Sequence, residues 1–69
     1  MIVYDKLWRY MWFRYNWKRS MLLHVISSPT LAKLGKNENV NVEVIDRICE
    51  FLKCQPSDIM EYINSSDFN

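Results

Sequence analysis

The chain has 69 residues, enough for one domain with a modest hydrophobic core. One glycine and two prolines argue against a β-meander, and two cysteines, Cys49 and Cys54, match no metal-ligand spacing. The net charge is +1, but the charges are unevenly distributed along the chain. Residues 1–36 hold seven Lys and Arg and one acidic residue, whereas residues 37–69 hold two Lys and Arg and seven acidic residues. The basic half therefore suits a polyanion such as nucleic acid.

The first predicted helix is set by Tyr4, Leu7, Trp8 and Met11, which fall at the spacing of one helix face. We expect this helix to run from about residue 3 to residue 14. A second helix is expected to follow Asn16, since Asn is a good N-cap, and to end near His24 or Val25. Its apolar stripe comprises Met21, Leu22, Val25 and Ile26.

The third predicted helix begins after Ser27, a natural N-cap, and tolerates Pro29 in its first turn. It covers Ser28 to about Leu34, with Leu31 and Leu34 pointing inward. Gly35 is expected to end it, as C-terminal glycines commonly do. The polar residues 36–39 predict a loop.

The fourth predicted helix starts at residue 42 behind the N-cap Asn41, and it ends at Leu52 or Lys53. Its apolar positions repeat at three- and four-residue spacing: Ile45, Ile48, Cys49 and Leu52. Pro56 and Ser57 predict a short fifth helix. We therefore expect one all-α domain over residues 1–63 and a frayed tail over residues 64–69.

The runs TLAKLGKNENV and VEVIDRICEFLKCQPSDIMEYI, with the opening YDKLWRYMW, resemble the small Cro/cI-like (XRE-type) helix-turn-helix regulators of bacteria and phages. The resemblance covers residues 4–12 and about 26–63. It implies a compact five-helix, lambda-repressor-like fold that binds double-stranded DNA, often as a homodimer, with no enzyme activity and no cofactor. It also implies that the third helix enters the major groove. We call this third helix the reading helix.

One segment departs from the pattern of that family. Residues 13–25 are one residue short, with Trp17 where the family shows a Ser or Thr cap. The turn His24-Val25-Ile26-Ser27 lacks the glycine that the family usually places before the reading helix. This difference predicts a turn of another geometry or a shortened second helix.

Candidate DNA contacts follow from the predicted reading helix. Its first turns hold the candidates for base contacts, which are Ser28, Pro29, Thr30 and Lys33. Phosphate contacts need cations, small polar groups or helix N-termini, and the candidates are Lys18, Arg19, Ser27, Lys36 and Asn37. Each of these residues alone is also consistent with an ordinary exposed surface.

Six aromatic residues lie within residues 8–17, more than one helix face can bury. Trp12, Phe13 and Trp17 are therefore candidates for a dimer surface. They also support an alternative function, in which the helix-turn-helix fold is retained as a protein-interaction or dimerisation module and DNA binding is weak or lost. Single-strand stacking and membrane-surface binding are further, weaker alternatives.

Other functional classes find little support in the sequence. Asp5, Lys6 and Arg9 interrupt the opening residues, so we expect neither a secretory signal nor a membrane role. His24 has no nucleophile or second ligand nearby in sequence, which argues against an enzyme, a metal site or a small-molecule substrate. We expect a cytoplasmic protein whose two cysteines are reduced.

Overall fold

A computed structural model describes residues 1–64 of the chain, and most of them are helical. The helical elements are α1 (Asp5–Tyr10), a π-helical segment (Met11–Tyr15), a first 3-10 helix (Arg19–His24), α2 (Ser28–Gly35), α3 (Val42–Leu52) and a second 3-10 helix (Pro56–Asp58). Strands β1 (Ile2–Val3) and β2 (Glu61–Tyr62) form an antiparallel pair. The all-α class is confirmed, although the five expected helices are three α-helices and two 3-10 helices within these residues.

The first helix is shifted relative to its prediction. Its expected start near residue 3 is wrong, because Ile2 and Val3 pair with Tyr62 and Glu61 in the small sheet, and the helix begins at Asp5. It continues as a π-helix to Tyr15, one residue beyond the predicted end. Two-residue strands carry no alternating pattern, so the sequence offered no sign of this sheet.

The second helix differs more from its prediction than the first helix does. Asn16 does not cap its start but ends the π-helical segment, with left-handed backbone angles of 56° and 38°. Asn is favoured both as an N-cap and in this left-handed conformation, so its presence alone could not decide between the two ends. The second helix begins after Lys18 and is a 3-10 helix.

The reading helix and the fourth predicted helix are confirmed as α2 and α3. The Oγ atom of Ser27 and the Oδ1 atom of Asn41 accept hydrogen bonds from the backbone N–H groups of Thr30 and Val44, at 3.3 and 3.0 Å. Each cap therefore lies at the predicted residue. Glu43 in the first turn of α3 forms an i,i+4 ion pair with Arg47 at 2.6 Å.

The core lies where the helices meet. Its fully buried side chains come from α1, the π-helical segment, the first 3-10 helix, α2, α3 and the residue after the second 3-10 helix: Leu7, Met11, Leu22, Leu34, Ile48, Leu52 and Ile59. Burying each such side chain stabilises the fold by about 1.5–3 kcal/mol. The Tyr15 hydroxyl donates a hydrogen bond to the Leu52 carbonyl at 2.6 Å and thereby joins the π-helical segment to the end of α3.

The two cysteines are free and half-buried. Burial raises the pKa of the Cys54 thiol from its usual value to about 12 and also raises the pKa of Cys49. Both groups are therefore neutral thiols at neutral pH. This state agrees with their predicted role as small, apolar groups at the edge of the core.

Candidate nucleic-acid interface

The N-terminal end of the reading helix α2 is stabilised by its N-cap, Ser27. Ser27 has extended backbone angles of −78° and 160°, and its Oγ atom lies 2.8 Å from the Thr30 Oγ1 atom in addition to accepting from the Thr30 N–H. Pro29 occupies the first turn, where its missing N–H leaves no bond unmade. The start of the helix is therefore well defined, and Leu34 anchors its other face in the core.

The predicted base-contact residues lie along α2, with Ser28, Pro29 and Thr30 in its first turn and Lys33 in its last turn. Ser28, Pro29 and Lys33 are exposed, whereas Thr30 is half-buried and shares its hydroxyl with Ser27. Pro29 and Lys33 are one turn apart and therefore lie on one side of the helix. The exposed surface thus holds a hydroxyl, an apolar ring and a cation, which are groups able to contact base edges.

A concavity of about 440 Å³ runs beside this surface, between α2 and the start of α3. Its walls also include Asn39, Val40, Asn41 and Val44, none of which the sequence indicated as a DNA contact. Asn41 already uses its Oδ1 atom as the cap of α3. Asn39 is exposed, and its amide is a polar group that a sequence pattern could not place beside α2, because a loop separates the two.

The predicted phosphate-contact residues are mostly exposed cations near α2. Lys18, Arg19 and Lys36 are exposed, and the only ion pair that residues 1–64 form is Arg47 with Glu43, on α3. The three cations are therefore not neutralised by an acidic partner within the described part of the chain. Ser27 is also exposed, although its hydroxyl serves as the cap.

Arg19 lies against two other elements. Its guanidinium carbon is 4.2 Å from the centre of the Trp8 ring on α1. Its Nη1 atom would lie 3.3 Å from a Cβ atom at Gly35, in the last turn of α2. The fold thereby brings a residue of the first 3-10 helix to the end of the reading helix.

Asn37 has a structural role that the sequence analysis missed. Its φ angle is 57°, and its Oδ1 atom accepts a hydrogen bond from the Tyr4 backbone N–H at 3.0 Å. Asn37, and not Gly35, therefore takes the left-handed position after α2. Gly35 is the last residue of α2, as predicted, but its φ angle is not positive. Only the Nδ2 group of Asn37 is left to reach a phosphate.

The predicted dimer residues separate into two environments. Trp12 and Phe13 on the π-helical segment are 55% and 83% exposed. Trp17 is half-buried, because its ring stacks between Tyr15 at 4.4 Å and Phe51 at 5.4 Å. The structure thus leaves two of the three aromatic side chains available as an external surface.

Residues 24–65 match the Cro/C1-type HTH DNA-binding domain, a family of helix-turn-helix proteins. The chain belongs to this family. The match contains the whole reading helix, its Ser27 cap and α3. Most of the divergent segment 13–25 precedes it, so the family features of this Cro/C1-type domain lie in the part that carries the candidate base contacts.

Individual relatives agree with this assignment. The uncharacterized HTH-type transcriptional regulator YozG of Bacillus subtilis (strain 168) is 37% identical over 42 residues, or 61% of this chain and 50% of YozG. The chain thus spans about half the length of that relative. The crystal structure of the transcriptional regulator VanUg (Form II) is similar with a TM-score of 0.86 and 41% identity, over 93% of this chain and 87% of VanUg. The predicted family resemblance is confirmed.

No helix within residues 1–64 is long and apolar enough to cross a membrane. Nor do those residues gather three or more His, Cys, Asp or Glu side chains into a group that could hold a metal ion.

Proposed function

We propose that this chain is a sequence-specific regulator of transcription that inserts α2 into the major groove of double-stranded DNA. The observation that carries the proposal is the exposed surface of the capped helix α2, with Arg19 and Lys36 at its C-terminal end and no acidic partner for either cation among residues 1–64. Membership of a DNA-binding HTH family supports it. The protein acts by binding and not by catalysis, and its place is the cytoplasm, where a bacterial or phage regulator meets its DNA.

The proposed contacts form two groups, those with base edges and those with phosphates. Ser28, Pro29 and Lys33 read base edges, and Thr30 adds its side-chain methyl group while its hydroxyl remains with Ser27. The phosphate contacts, which carry no sequence information, fix the position of α2 on the duplex. They involve Lys18, Arg19, Ser27, Lys36 and the Nδ2 group of Asn37.

Selection from a random duplex library, followed by fluorescence anisotropy with the selected duplex, tests this function. The affinity should fall steeply with salt, since each neutralised phosphate contributes about 0.9 to the slope of log K against log salt. Lys33→Ala should lose about 1–3 kcal/mol of discrimination at one base pair. Lys36→Ala should weaken all duplexes alike and lower the slope by about 1.

Arg9→Ala is the matched control, because it removes an exposed cation of α1 that has no proposed DNA contact. We expect a smaller change in slope for this variant than for Lys36→Ala. A wild-type protein that binds no duplex in a salt-sensitive manner at micromolar concentration would contradict the proposed function.

A second proposal concerns self-association. Trp12 and Phe13 expose a large apolar area on adjacent positions of the π-helical segment, and such a patch favours an interface. We propose that they form the contact of a homodimer. A dimer would read two half-sites about 34–36 Å apart, so the selected duplex should be palindromic.

Sedimentation equilibrium tests this interface. Trp12→Ala or Phe13→Ala should convert a dimer to a monomer, whereas Leu23→Ala, at an exposed apolar residue of the first 3-10 helix, should not. A wild-type monomer at all concentrations, with or without DNA, would contradict it. A stable dimer without salt-sensitive DNA binding would instead support the alternative function as an interaction module.

A further inference from the structure

Arg19 is held in a defined place although its side chain is exposed. The guanidinium group lies over the face of the Trp8 ring at 4.2 Å, the arrangement of a cation–π contact. Trp8 is half-buried and packs against the core, so the ring is itself fixed. No carboxylate within residues 1–64 forms an ion pair with Arg19.

Gly35 completes this arrangement. It is the single glycine of the chain, and it has no positive φ angle, so backbone freedom does not explain its presence. A Cβ atom at this position would lie 3.3 Å from the Arg19 Nη1 atom, closer than an ordinary van der Waals contact. What the glycine supplies is space for the guanidinium beside the last turn of α2.

We propose that Trp8 and Gly35 are positioning residues that hold the Arg19 guanidinium at the end of the reading helix as a pre-ordered phosphate contact. This inference rests on the proposed DNA-binding function. Stacking uses the flat face of the guanidinium and leaves its in-plane N–H groups available for the oxygens of a phosphate. Because the long side chain is already ordered in the free protein, less conformational entropy is lost when DNA binds.

The expected effect of losing the ring follows from that entropy. Immobilising a long side chain at an interface costs about 0.5–1.5 kcal/mol, which corresponds to about a two- to tenfold change in affinity. Trp8→Leu should weaken binding to the library-selected duplex by this factor, and Trp8→Phe, which keeps a ring, should restore most of it. Arg19→Ala should lose the contact itself and lower the salt slope by about 1.

Gly35→Ala separates positioning from general stability. Alanine is the better helix former, so the thermal midpoint of unfolding should rise. Its methyl group should also displace the guanidinium, so affinity for the duplex should fall in the same variant. A purely structural role of these residues would move stability and binding in the same direction.

A measurement without DNA tests the placement directly. The aromatic ring current of Trp8 should shift the NMR signals of the Arg19 side-chain protons upfield. The shift should vanish in Trp8→Leu, decrease in Gly35→Ala and persist in Trp8→Phe, while the signals of Arg9 stay unchanged.

The outcomes distinguish this inference from the proposed function. A wild-type protein without salt-sensitive duplex binding overturns both. If the wild type binds but Trp8→Leu and Gly35→Ala bind equally well with the same salt slope, only the positioning role is overturned. Weaker binding of both variants, together with the NMR changes and the rescue by Trp8→Phe, supports it.

Discussion

Replacing Asn37, in the loop between α2 and α3, by alanine should destabilise the domain. The side chain joins this loop to the start of α1, because its Oδ1 atom accepts from the partly buried Tyr4 N–H at 3.0 Å. The backbone at Asn37 is also left-handed, with a φ angle of 57°. Alanine removes the acceptor and fits poorly to this backbone conformation.

The expected loss of unfolding free energy in Asn37→Ala has two parts. Leaving the Tyr4 N–H without its partner costs about 1–3 kcal/mol. Placing alanine in the left-handed region adds about 1 kcal/mol. The free energy of unfolding should therefore fall by about 2–4 kcal/mol in Asn37→Ala. In a domain of this size each kcal/mol lowers the thermal midpoint by about 4–8 °C.

Urea denaturation followed by circular dichroism measures this loss, and two further variants separate its parts. Asn37→Gly relieves the backbone strain but still lacks the acceptor, so it should be about 1 kcal/mol more stable than Asn37→Ala. Asn37→Asp keeps an acceptor oxygen and should remain closest to the wild type. The reasoning is refuted if Asn37→Ala is as stable as the wild type, or if Asn37→Asp is as unstable as Asn37→Ala.

Three other predictions concern individual contacts. Ser27→Ala removes the cap of α2 and should lower the free energy of unfolding in urea by about 0.5–2 kcal/mol, whereas Ser27→Asp should keep the cap but repel DNA phosphates in anisotropy assays. Tyr15→Phe deletes the hydrogen bond to the Leu52 carbonyl and should cost about 1–3 kcal/mol in the same denaturation assay. Burial raises the pKa of Cys54 to about 12, so its thiol contributes fully to the free energy of unfolding below the usual thiol pKa. This contribution should be lost as the pH rises from about 9 toward 12, and the loss should be smaller in Cys54→Ala. Unchanged stability in Tyr15→Phe would contradict the contribution of its hydrogen bond. Identical pH profiles of stability for the wild type and Cys54→Ala would contradict the role given to the Cys54 thiol.

The regions that the sequence predicted correctly are those in which local signals, an N-cap and a regular apolar spacing, occur together. Ser27 and Asn41 each come directly before a helix predicted from its apolar spacing, and both N-caps are confirmed. The bounds of α3 follow from its three- and four-residue spacing. The predicted placement of the base-contact candidates on α2 depended on these signals, but their contacts with DNA stay predictions.

Other regions depend on contacts between residues far apart in the chain. Asn37 resembles any loop residue until Tyr4, 33 residues earlier, is placed beside it. Trp17 looks like one more surplus aromatic residue until Phe51 provides a stacking partner. The frayed tail predicted over residues 64–69 falls, except for Asn64, outside the described residues.

The missing glycine before the reading helix has a physical explanation in the shape of the second helix. Within the described chain the left-handed residues are Asn16, Asn37 and Lys53, so the turn after His24 uses none. The first 3-10 helix ends at His24, and Val25 after it has backbone angles of −128° and −17°. These angles have a negative φ, so they do not need the conformational freedom of glycine. The reading helix therefore starts from Ser27 without a glycine in the preceding turn.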